Sequence, residues 1–507
     1  MSDSKKSFSV HFETLGCRLN QIESEAAAHF FSEAGFAVDM KSITGNSCEN
    51  HSVILCIVNT CTVTSKAEQK ARRLIRLLLK KFPSAIILVT GCYAELDGKD
   101  IEAIDPRIVV LPGSLKDELA EIPRELYTGL AKNNADKKLP SVDKVLEELK
   151  KLLSCRNNHQ EKNEELSFQG TVFTPVDLKQ KALWEEQRQL KPHFKLSTDT
   201  FFIHSRASIK IQDGCNSACA YCRIHLARGK SVSLDVQSVL DRITKLEQSG
   251  QKEVVLTGVN LSQYRGSYGS GFCDLADLLH LILDKTDEIK IRISSLYPER
   301  VDQALALQLR NPRIQPHFHL SIQSGSDSIL RVMKRPYSRE KIYKAVEILR
   351  QVKGDPFIAC DIIAGFPGET DSDFEETVTM CKELNFAWIH AFPFSPRPGT
   401  PAYSMKQVPQ SIVGERVKKL HTIALEQKVS YITRWVGRPL EAITEVNRQD
   451  RKTGTGGVSH AVTENFIHVE VPGILPERSL VSVIIDQPLI DRITKGDETE
   501  ALGKIVY

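Results

Sequence analysis

The sequence predicts an α/β protein with three folded regions: an amino-terminal parallel α/β sheet domain, a central set of about six strand–helix repeats, and a carboxy-terminal small β-barrel. Strand-like and helix-like segments alternate in residues 7–125 and again from residue 207, which favours parallel sheets covered by helices. After about Gly437, short strands separated by turns rich in glycine and charge favour a small barrel instead.

The first region contains three predicted strands with helices between them. Residues 7–13 alternate with strand character, and the continuous apolar runs 52–58 and 85–89 are typical of buried parallel strands. Helices are predicted over residues 23–34 and 66–81. We therefore expect a parallel sheet with helices on both faces.

Three cysteines stand just past the carboxyl ends of these strands: Cys17, Cys61 and Cys92. The carboxyl ends of parallel strands lie at one edge of a sheet, where ligands bind. Three cysteines at equivalent positions favour a three-cysteine metal cluster over a chance set of core cysteines. Glycines beside Cys17 and Cys92 would let the backbone turn closely around a bulky ligand.

The second region opens with three cysteines in eight residues, Cys215, Cys219 and Cys222. Iron–sulfur cubes are normally held by four thiolates, so a local trio suggests a cluster with one open iron. The alternative is a structural zinc site completed by His225, which follows Cys222 by three residues. A disulfide is a poor interpretation for a chain in a reducing compartment.

The remaining strands follow in order. In the second region they are predicted at residues 207–211, 253–257, 290–294, 317–322, 357–364 and 388–394, and in the third at 440–446, 466–471 and 480–486. Between the first two regions, residues 126–204 are predicted to be a linker, helical and partly disordered. Its amphipathic helix spans residues 141–153, and the polar run from Arg156 is interpreted as loop or disorder.

Composition narrows the function classes. The chain is 41% hydrophobic and 26% charged, and it has no apolar run long enough to cross a bilayer and no secretory signal at its start. We therefore expect a cytoplasmic protein with no membrane partner. The net charge of +3 does not indicate a nucleic-acid partner. The basic run in residues 66–81 is a local candidate for RNA contact, or simply a solvated helix face.

Several motifs, in one order, resemble the radical S-adenosylmethionine (SAM) methylthiotransferases. In the first region they are Thr14-Leu-Gly-Cys17-Arg-Leu-Asn20, Asn59-Thr-Cys61-Thr-Val-Thr64 and Thr90-Gly-Cys92-Tyr-Ala-Glu95; in the second, Asp213-Gly-Cys215-Asn-Ser-Ala-Cys219-Ala-Tyr-Cys222, Leu320-Ser-Ile-Gln-Ser-Gly-Ser326, Ile363-Ala-Gly-Phe-Pro-Gly-Glu369 and Phe394-Ser-Pro-Arg-Pro-Gly-Thr-Pro401. The resemblance covers roughly residues 7–125 and 205–507.

The resemblance implies an architecture. The domains would be a methylthiotransferase amino-terminal domain with an auxiliary cluster in 7–125, the linker in 126–204, a partial (β/α)6 radical SAM barrel in 205–435, and a TRAM-like β-barrel in 436–507. The TRAM domain is an RNA-binding appendage of this family. Residues 431–507 hold nine Lys or Arg against eleven Asp or Glu, so RNA contact there would need local groups such as Arg448, Arg451 and Lys452.

The resemblance also implies two 4Fe–4S clusters and SAM as cofactors. Cys215, Cys219 and Cys222 would hold the cluster that binds SAM and, once reduced, cleaves it to a 5′-deoxyadenosyl radical. Cys17, Cys61 and Cys92 would hold a second cluster that presents sulfur, and a second SAM would supply the methyl group. By resemblance, Thr257, Gly258, Ser294, Gln323 and Gly365 would line the SAM pocket; the alternative for each is an ordinary strand end.

The motifs look most like the branch acting on threonylcarbamoyladenosine, at C-2 of the adenosine at tRNA position 37. The alternatives are isopentenyl-type adenosine in tRNA, an aspartate of a ribosomal protein, or a non-enzymatic zinc-containing RNA-binding protein. One departure from the branch is His225, which replaces a usual proline between Cys222 and Arg228. The expected partners are the tRNA anticodon loop and an unidentified electron donor, and the chain is expected to be a monomer.

Overall fold

The computed structural model describes residues 8–132, 139–164, 194–197, 206–446 and 457–506. The chain divides into two compact units. Unit 1 comprises the described residues up to 197 together with Gly214–Asn216 and Arg223–Lys230, and unit 2 comprises the other described residues. No helix within these described ranges is both long and apolar enough to span a bilayer.

Unit 1 is built on a five-stranded, entirely parallel sheet in the order β2-β1-β3-β4-β5. The strands are β1 Ser9–Thr14, β2 Ala37–Asp39, β3 Val53–Thr60, β4 Ile86–Gly91 and β5 Ile108–Val110. All residues of β3 and β4 are buried, as their continuous apolar runs predict. The strand order reverses between β1 and β3, the point where ligands of such sheets bind.

Helices cover both faces of this sheet, and each face has its own apolar core. They are α1 Arg18–Glu33, α2 Ser65–Lys81, α3 Cys92–Glu102, α4 Ile122–Lys132 and α5 Val142–Glu164, with a 3₁₀ helix at Gly113–Ala120. The three predicted strands and two predicted helices of this region are confirmed. The short strands β2 and β5, three residues each, were not predicted.

The linker helix α5 belongs to the core of unit 1. Val145, Leu149 and Leu153 are buried in the same cluster as Phe12 and Phe31. The helix continues to Glu164, so the loop predicted from Arg156 is wrong through residue 164. The run from Arg156 has no apolar stripe that would predict a helix. It can still continue α5, because Glu, Lys, Gln and Arg are good helix formers. The predicted disordered part of the linker lies mostly outside the described residues.

The first part of unit 2 repeats strand and helix six times. Its parallel strands form the sheets β6-β9-β12 and β13-β14-β15-β16, and β12 leads directly into β13. The strands are β6 Ala207–Lys210, β7 Gln212–Asp213, β8 Val232–Ser233, β9 Glu253–Thr257, β10 Gly266–Tyr268, β11 Gly271–Cys273, β12 Lys290–Ile293, β13 Ser295–Leu296, β14 His317–Gln323, β15 Phe357–Ala364 and β16 Trp388–Pro393. All six predicted strands are confirmed as β6, β9, β12, β14, β15 and β16.

Helices follow these strands, as a partial strand–helix barrel requires. They are α6 Ile224–Arg228 (whose residues belong to unit 1), α7 Val236–Gln248, α8 Leu275–Lys285, α9 Gln303–Leu309, α10 Asp327–Val332, α11 Arg339–Lys353, α12 Asp371–Leu384 and α13 Gln410–Arg434. Several begin at side-chain caps, for example α12, where Thr370 and Asp373 form a reciprocal capping box.

The carboxy-terminal part of unit 2 is a closed barrel in the order β17-β18-β19-β21-β20. Its strands are β17 Pro439–Thr444, β18 Val458–Thr463, β19 His468–Pro472, β20 Leu480–Pro488 and β21 Ala501–Val506, with the short helix α14 Ile490–Lys495 before the last strand. The predicted small β-barrel is confirmed, although β18 and β21 were not predicted. With it the whole predicted fold class is confirmed.

Candidate functional site

Three thiols of unit 1 stand at the carboxyl edge of its sheet. Cys17 follows β1 and is the residue before α1, Cys61 directly follows β3, and Cys92 follows β4 as the first residue of α3. Because β1, β3 and β4 are adjacent and parallel, their ends converge. Cys61 and Cys92 are buried, whereas Cys17 is exposed. The edge therefore carries one cysteine from each of three neighbouring strand ends.

Two glycines at this sheet edge allow the backbone of one strand end to lie close to the neighbouring strand end. Gly16, at φ +108°, lies against Cys61, and an added Cβ would stand 2.6 Å from the Cys61 Cβ. Gly91, at φ +100°, lies against β3, and an added Cβ would overlap the Thr60 carbonyl oxygen. Both positions require glycine, because an L side chain is strained at such φ and has no room here.

A buried arginine is bonded to this edge. Arg228 Nε donates to Cys92 Sγ at 3.2 Å, while its Nη2 donates to Asn20 Oδ1 at 2.9 Å and its Nη1 to Glu23 Oε1 at 3.1 Å. Glu23 also accepts from Lys116 Nζ at 2.6 Å. Arg228, Glu23 and Lys116 are all buried, and buried charges in proteins are stable when paired in this way.

The thiols are close enough to influence one another electrostatically. The pKa of the Cys61 thiol is raised to about 11: burial raises it most, and the neighbouring Cys92 and Cys17 raise it as like charges, while a hydrogen bond with the Val63 backbone and the charge of Arg228 lower it. Three thiolates at this edge would repel one another, so they need a cation or a metal centre beside them. Arg228 supplies one positive charge from the protein.

This donor set fits a cluster better than a single ion. Within the described ranges, no group of three or more His, Cys, Asp or Glu side chains has the geometry to hold one metal ion. An iron–sulfur cube spreads its thiolate ligands over separate iron atoms and so separates them more widely than one ion does. All-thiolate donors suit iron–sulfur clusters. His225, the fourth ligand of the zinc site predicted as an alternative, forms no such group with the cysteines within the described ranges.

The second cysteine motif is held by backbone bonds on both sides. In unit 1, Cys215 N donates to Gly229 O at 3.1 Å, and an added Cβ on Gly214, at φ +67°, would overlap the Lys230 carbonyl. In unit 2, Cys222 N donates to Cys219 O at 3.2 Å, and Ala220 N to Met333 O at 3.0 Å. Cys215 and Cys219 are buried and Cys222 is half-buried.

Cys219 has an arginine of its own. Arg335 Nη1 donates to Cys219 Sγ at 3.2 Å, while Nη2 donates to Ser321 O at 2.9 Å and Nε to Tyr337 Oη at 2.7 Å. The Arg335 guanidinium also lies 4.1 Å from the Tyr297 ring centroid. Neither Arg228 nor Arg335 was predicted as a site residue. A short spacing motif carries no signal for them, since each lies more than a hundred residues from its cysteine.

The residues predicted for the SAM pocket lie at the carboxyl ends of the unit 2 strands. Thr257 ends β9 and Gly258 follows it, packed against Gln212 so tightly that an added Cβ would stand 2.8 Å from Gln212 Oε1. Ser294 follows β12, and its buried Oγ has no hydrogen-bond partner within the described part of the chain. A buried hydroxyl left unpaired is unusual and suits a polar ligand at this edge.

The other two pocket residues have unusual backbones. Gln323 ends β14 with φ +74°, rare for a residue other than glycine and typical of functional sites. Gly365, at φ +75°, follows β15; its N–H donates to Glu369 Oε2 at 2.6 Å, and an added Cβ would overlap Val413 of α13. All five residues thus stand at strand ends, and their role in binding SAM stays a prediction.

The two RNA-contact predictions concern different elements. On α2, the basic residues Lys66, Lys70, Arg73, Arg76 and Lys80 are exposed, while Ala71, Ile75, Leu78 and Leu79 are buried. The helix therefore has an apolar face inward and a basic face outward, as a solvated helix face would, and RNA contact by this face stays a prediction. Arg448, Arg451 and Lys452 of the carboxy-terminal barrel lie outside the described residues.

Comparison with known proteins gives matches over nearly the whole chain. Residues 209–381 match the model of the Radical SAM superfamily, and residues 9–113 match that of Uncharacterized protein family UPF0004. A Treponema pallidum protein named threonylcarbamoyladenosine tRNA methylthiotransferase MtaB is 47% identical over 92% of this chain and 94% of its own length. A Thermotoga maritima protein of the same name is 33% identical over 86% of each chain. An Orientia tsutsugamushi tRNA-2-methylthio-N(6)-dimethylallyladenosine synthase is 29% identical over 85% of this chain and 86% of its own length.

Proposed function

We propose that this chain, which belongs to the family of threonylcarbamoyladenosine tRNA methylthiotransferases, replaces the hydrogen at C-2 of N6-threonylcarbamoyladenosine, at tRNA position 37, with a methylthio group. Radical SAM chemistry needs one 4Fe–4S cluster and SAM, as the family match implies. The observation that carries the proposal further is the convergence of Cys17, Cys61 and Cys92 on one sheet edge, because it supports a second centre that delivers sulfur.

In this proposal Cys215, Cys219 and Cys222 hold the radical cluster. With SAM bound there, the cluster would supply radical chemistry, the removal of hydrogen from an unactivated carbon. The protein's own part is to bind, orient and exclude water. Thr257, Gly258, Ser294, Gln323 and Gly365 would hold SAM, and the unpaired Ser294 hydroxyl is available to donate to a polar group of it.

The second cluster would be held by Cys17, Cys61 and Cys92. Cys61 and Cys92 are buried residues, and the Cys17 residue is exposed. Asn20 supports the edge by donating to the carbonyls of Leu15 at 2.8 Å and Thr60 at 3.0 Å, residues that flank the first two cysteines. These bonds fix the loop that carries Cys17 beside Cys61.

The tRNA would be held in part by the basic face of α2. The helix begins four residues after Cys61, so its exposed lysines and arginines belong to the element next to the proposed sulfur centre. Seven basic residues stand against one acidic residue, Glu68, in this helix. Phosphates attract such a face regardless of base sequence, which suits binding of an anticodon stem. The proposal also includes a cytoplasmic location, a monomeric state and a separate electron donor.

The test is nucleoside analysis of tRNA from a strain in which the gene is deleted and then restored. We expect threonylcarbamoyladenosine to lose its 2-methylthio group on deletion and to regain it with the wild-type chain, but not with the Cys219→Ala chain. The Cys48→Ala chain is the matched control, because Cys48 is exposed and outside both trios. Unchanged methylthiolation of threonylcarbamoyladenosine in the deletion strain would refute the proposed substrate. If the deletion instead removed the methylthio group from isopentenyl-type adenosine, or from a ribosomal aspartate, the chain would belong to another branch of the family.

A colourless purified protein without iron and sulfide would refute the enzymatic proposal altogether and favour the zinc-containing RNA-binding protein. Brown protein with iron and sulfide, prepared without oxygen, is the expected result.

A further inference from the structure

Each cysteine trio is bonded to one buried arginine. Arg228 Nε lies 3.2 Å from Cys92 Sγ in unit 1, and Arg335 Nη1 lies 3.2 Å from Cys219 Sγ in unit 2. In both cases the other nitrogen atoms of the guanidinium are bonded to the protein, which fixes the fork. A fixed N–H donor to a thiolate is a charge-assisted hydrogen bond and among the stronger ones in proteins.

Arg228 belongs to a buried group of charged side chains beside the cysteines. Two cations, Arg228 and Lys116, are bonded to the same carboxylate, Glu23. Burying charge is costly unless an opposite charge is near. Because Arg228 also donates to Cys92 Sγ, its positive charge lies directly beside one sulfur of the trio and favours an anionic centre there.

Arg335 has a different setting. Its fork is held by the Ser321 carbonyl and the Tyr337 hydroxyl, and by the faces of Tyr297 and Tyr337, and no carboxylate within the described part of the chain forms an ion pair with it. An arginine guanidinium stays protonated in proteins, so Arg335 places a positive charge beside Cys219.

We propose that Arg228 and Arg335 are positioning residues that each raise the reduction potential of one cluster, Arg228 that of the sulfur-delivering centre and Arg335 that of the radical centre. This rests on the proposed function, since it needs both clusters. Hydrogen bonds and positive charge at the sulfur ligands stabilise the reduced, more negative form of a cluster. The two arginines thereby let one protein set two potentials separately, each through one side chain.

The experiment measures the potential of each cluster alone. Two full-length backgrounds are used: Cys215, Cys219 and Cys222 replaced by Ala, which leaves only the sulfur-delivering centre, and Cys17, Cys61 and Cys92 replaced by Ala, which leaves only the radical centre. Redox titration followed by electron paramagnetic resonance then reads a single cluster, with iron and sulfide content measured beside it.

In the first background, Arg228→Gln is expected to lower the potential by an amount equivalent to about a tenfold change in the reduction equilibrium, or 59 mV for one electron. Arg335→Gln should leave it unchanged, and the second background should show the reverse pattern. Glu23 stays paired with Lys116 in Arg228→Gln, so the carboxylate is not left alone. Glu23→Gln is expected to shift the potential upward, because it removes a negative charge from the group that contains Arg228; damage to the fold alone would not give opposite signs.

The outcomes separate this inference from the proposed function. If the first background binds no iron even with Arg228 present, the second cluster itself is refuted, and this role with it. If the cluster forms and Arg228→Gln leaves its potential unchanged, only the role of Arg228 is overturned. Where Arg228→Gln fails to fold, the sign of the Glu23→Gln shift decides: an upward shift supports the inference, and no shift or a downward one overturns it.

Discussion

The two cysteine trios reach similar surroundings by different routes. Cys215, Cys219 and Cys222 lie in one loop within eight residues, whereas Cys17, Cys61 and Cys92 come from three loops that follow β1, β3 and β4. The first trio is brought together by the local chain and the second by strand order. Even so, each has a glycine at positive φ packed against a neighbouring carbonyl or thiol, and each has one arginine at 3.2 Å from a sulfur.

The two trios should therefore be sensitive to different substitutions. The cysteines of a trio within one loop keep their spacing as long as the conformation of that loop is kept. A trio assembled by a sheet edge depends on the register of β1, β3 and β4, and thus on positions far from the cysteines. Substitutions that separate two of these strand ends should therefore disturb the trio of Cys17, Cys61 and Cys92. They should leave the trio in the Cys215–Cys222 loop intact.

The largest expected effect separates the chemistry of the two trios. Cys219→Ala should abolish both SAM cleavage and methylthiolation, because without the radical centre neither step begins. Cys17→Ala should abolish methylthiolation and leave SAM cleavage close to the wild-type rate. Reductive SAM cleavage is measured as 5′-deoxyadenosine formed, and methylthiolation by nucleoside analysis of tRNA.

Cys273→Ala is the control, because Cys273 lies on β11 outside both trios. Cleavage of SAM by the Cys219→Ala chain would show that the roles are assigned wrongly; loss of cleavage in Cys17→Ala would show that the two centres are not separable.

The next largest effect is expected from replacing the glycines that pack beside each trio, Gly91 and Gly214. Gly91→Ala places a methyl group on the Thr60 carbonyl at φ +100° and should push the ends of β3 and β4 apart, with Cys61 and Cys92. We expect about half of the iron to be lost, since one of two clusters no longer assembles, with SAM cleavage retained. Gly214→Ala, whose methyl group would meet the Lys230 carbonyl, should lose the other half and SAM cleavage as well.

Gly414→Ala is the control for both: Gly414 lies in α13 with open space around it, and alanine there should stabilise the chain by roughly 0.5–1 kcal/mol. Equal loss of iron and cleavage in Gly91→Ala and Gly214→Ala would contradict the separation of the two trios.

The sequence predicted the two trios better than their surroundings. Strand ends could be read because buried parallel strands are continuous apolar runs, and each predicted central strand lies within two residues of its observed bounds. Strands β2 and β5 have three residues each, too short for a pattern. In the barrel, β18 and β21 carry Ser459, His460, Gly503 and Lys504 among their apolar residues, which hides their strand character.

Arg228 and Arg335 could not be predicted from the sequence for a different reason. Arg228 is 136 residues from Cys92 in sequence, and Arg335 is 116 residues from Cys219. Periodicity and spacing describe neighbours along the chain, so they cannot predict a pairing of this range. Charge patterning treats an isolated arginine as a surface residue, whereas both are buried and bonded to sulfur. Only the three-dimensional structure reveals which charged groups surround the trios that the sequence predicts.

The smallest expected effect concerns the surface beside the assembled trio. Replacing Lys70 and Arg73 of α2 by Glu should weaken tRNA binding several-fold, because both side chains are exposed and stand on the basic face of that helix. The slope of log affinity against log salt should become shallower by roughly 0.7–0.9 for each phosphate that the variant no longer neutralises. Lys418→Glu on α13 is the matched control, an exposed lysine on a unit 2 helix. Binding is measured by titrating unmodified tRNA at several salt concentrations. An unchanged slope in the α2 variant, or an equal change in Lys418→Glu, would contradict the prediction. The basic face of α2 would then be only a solvated helix face, and another surface would bind the tRNA near Cys17, Cys61 and Cys92.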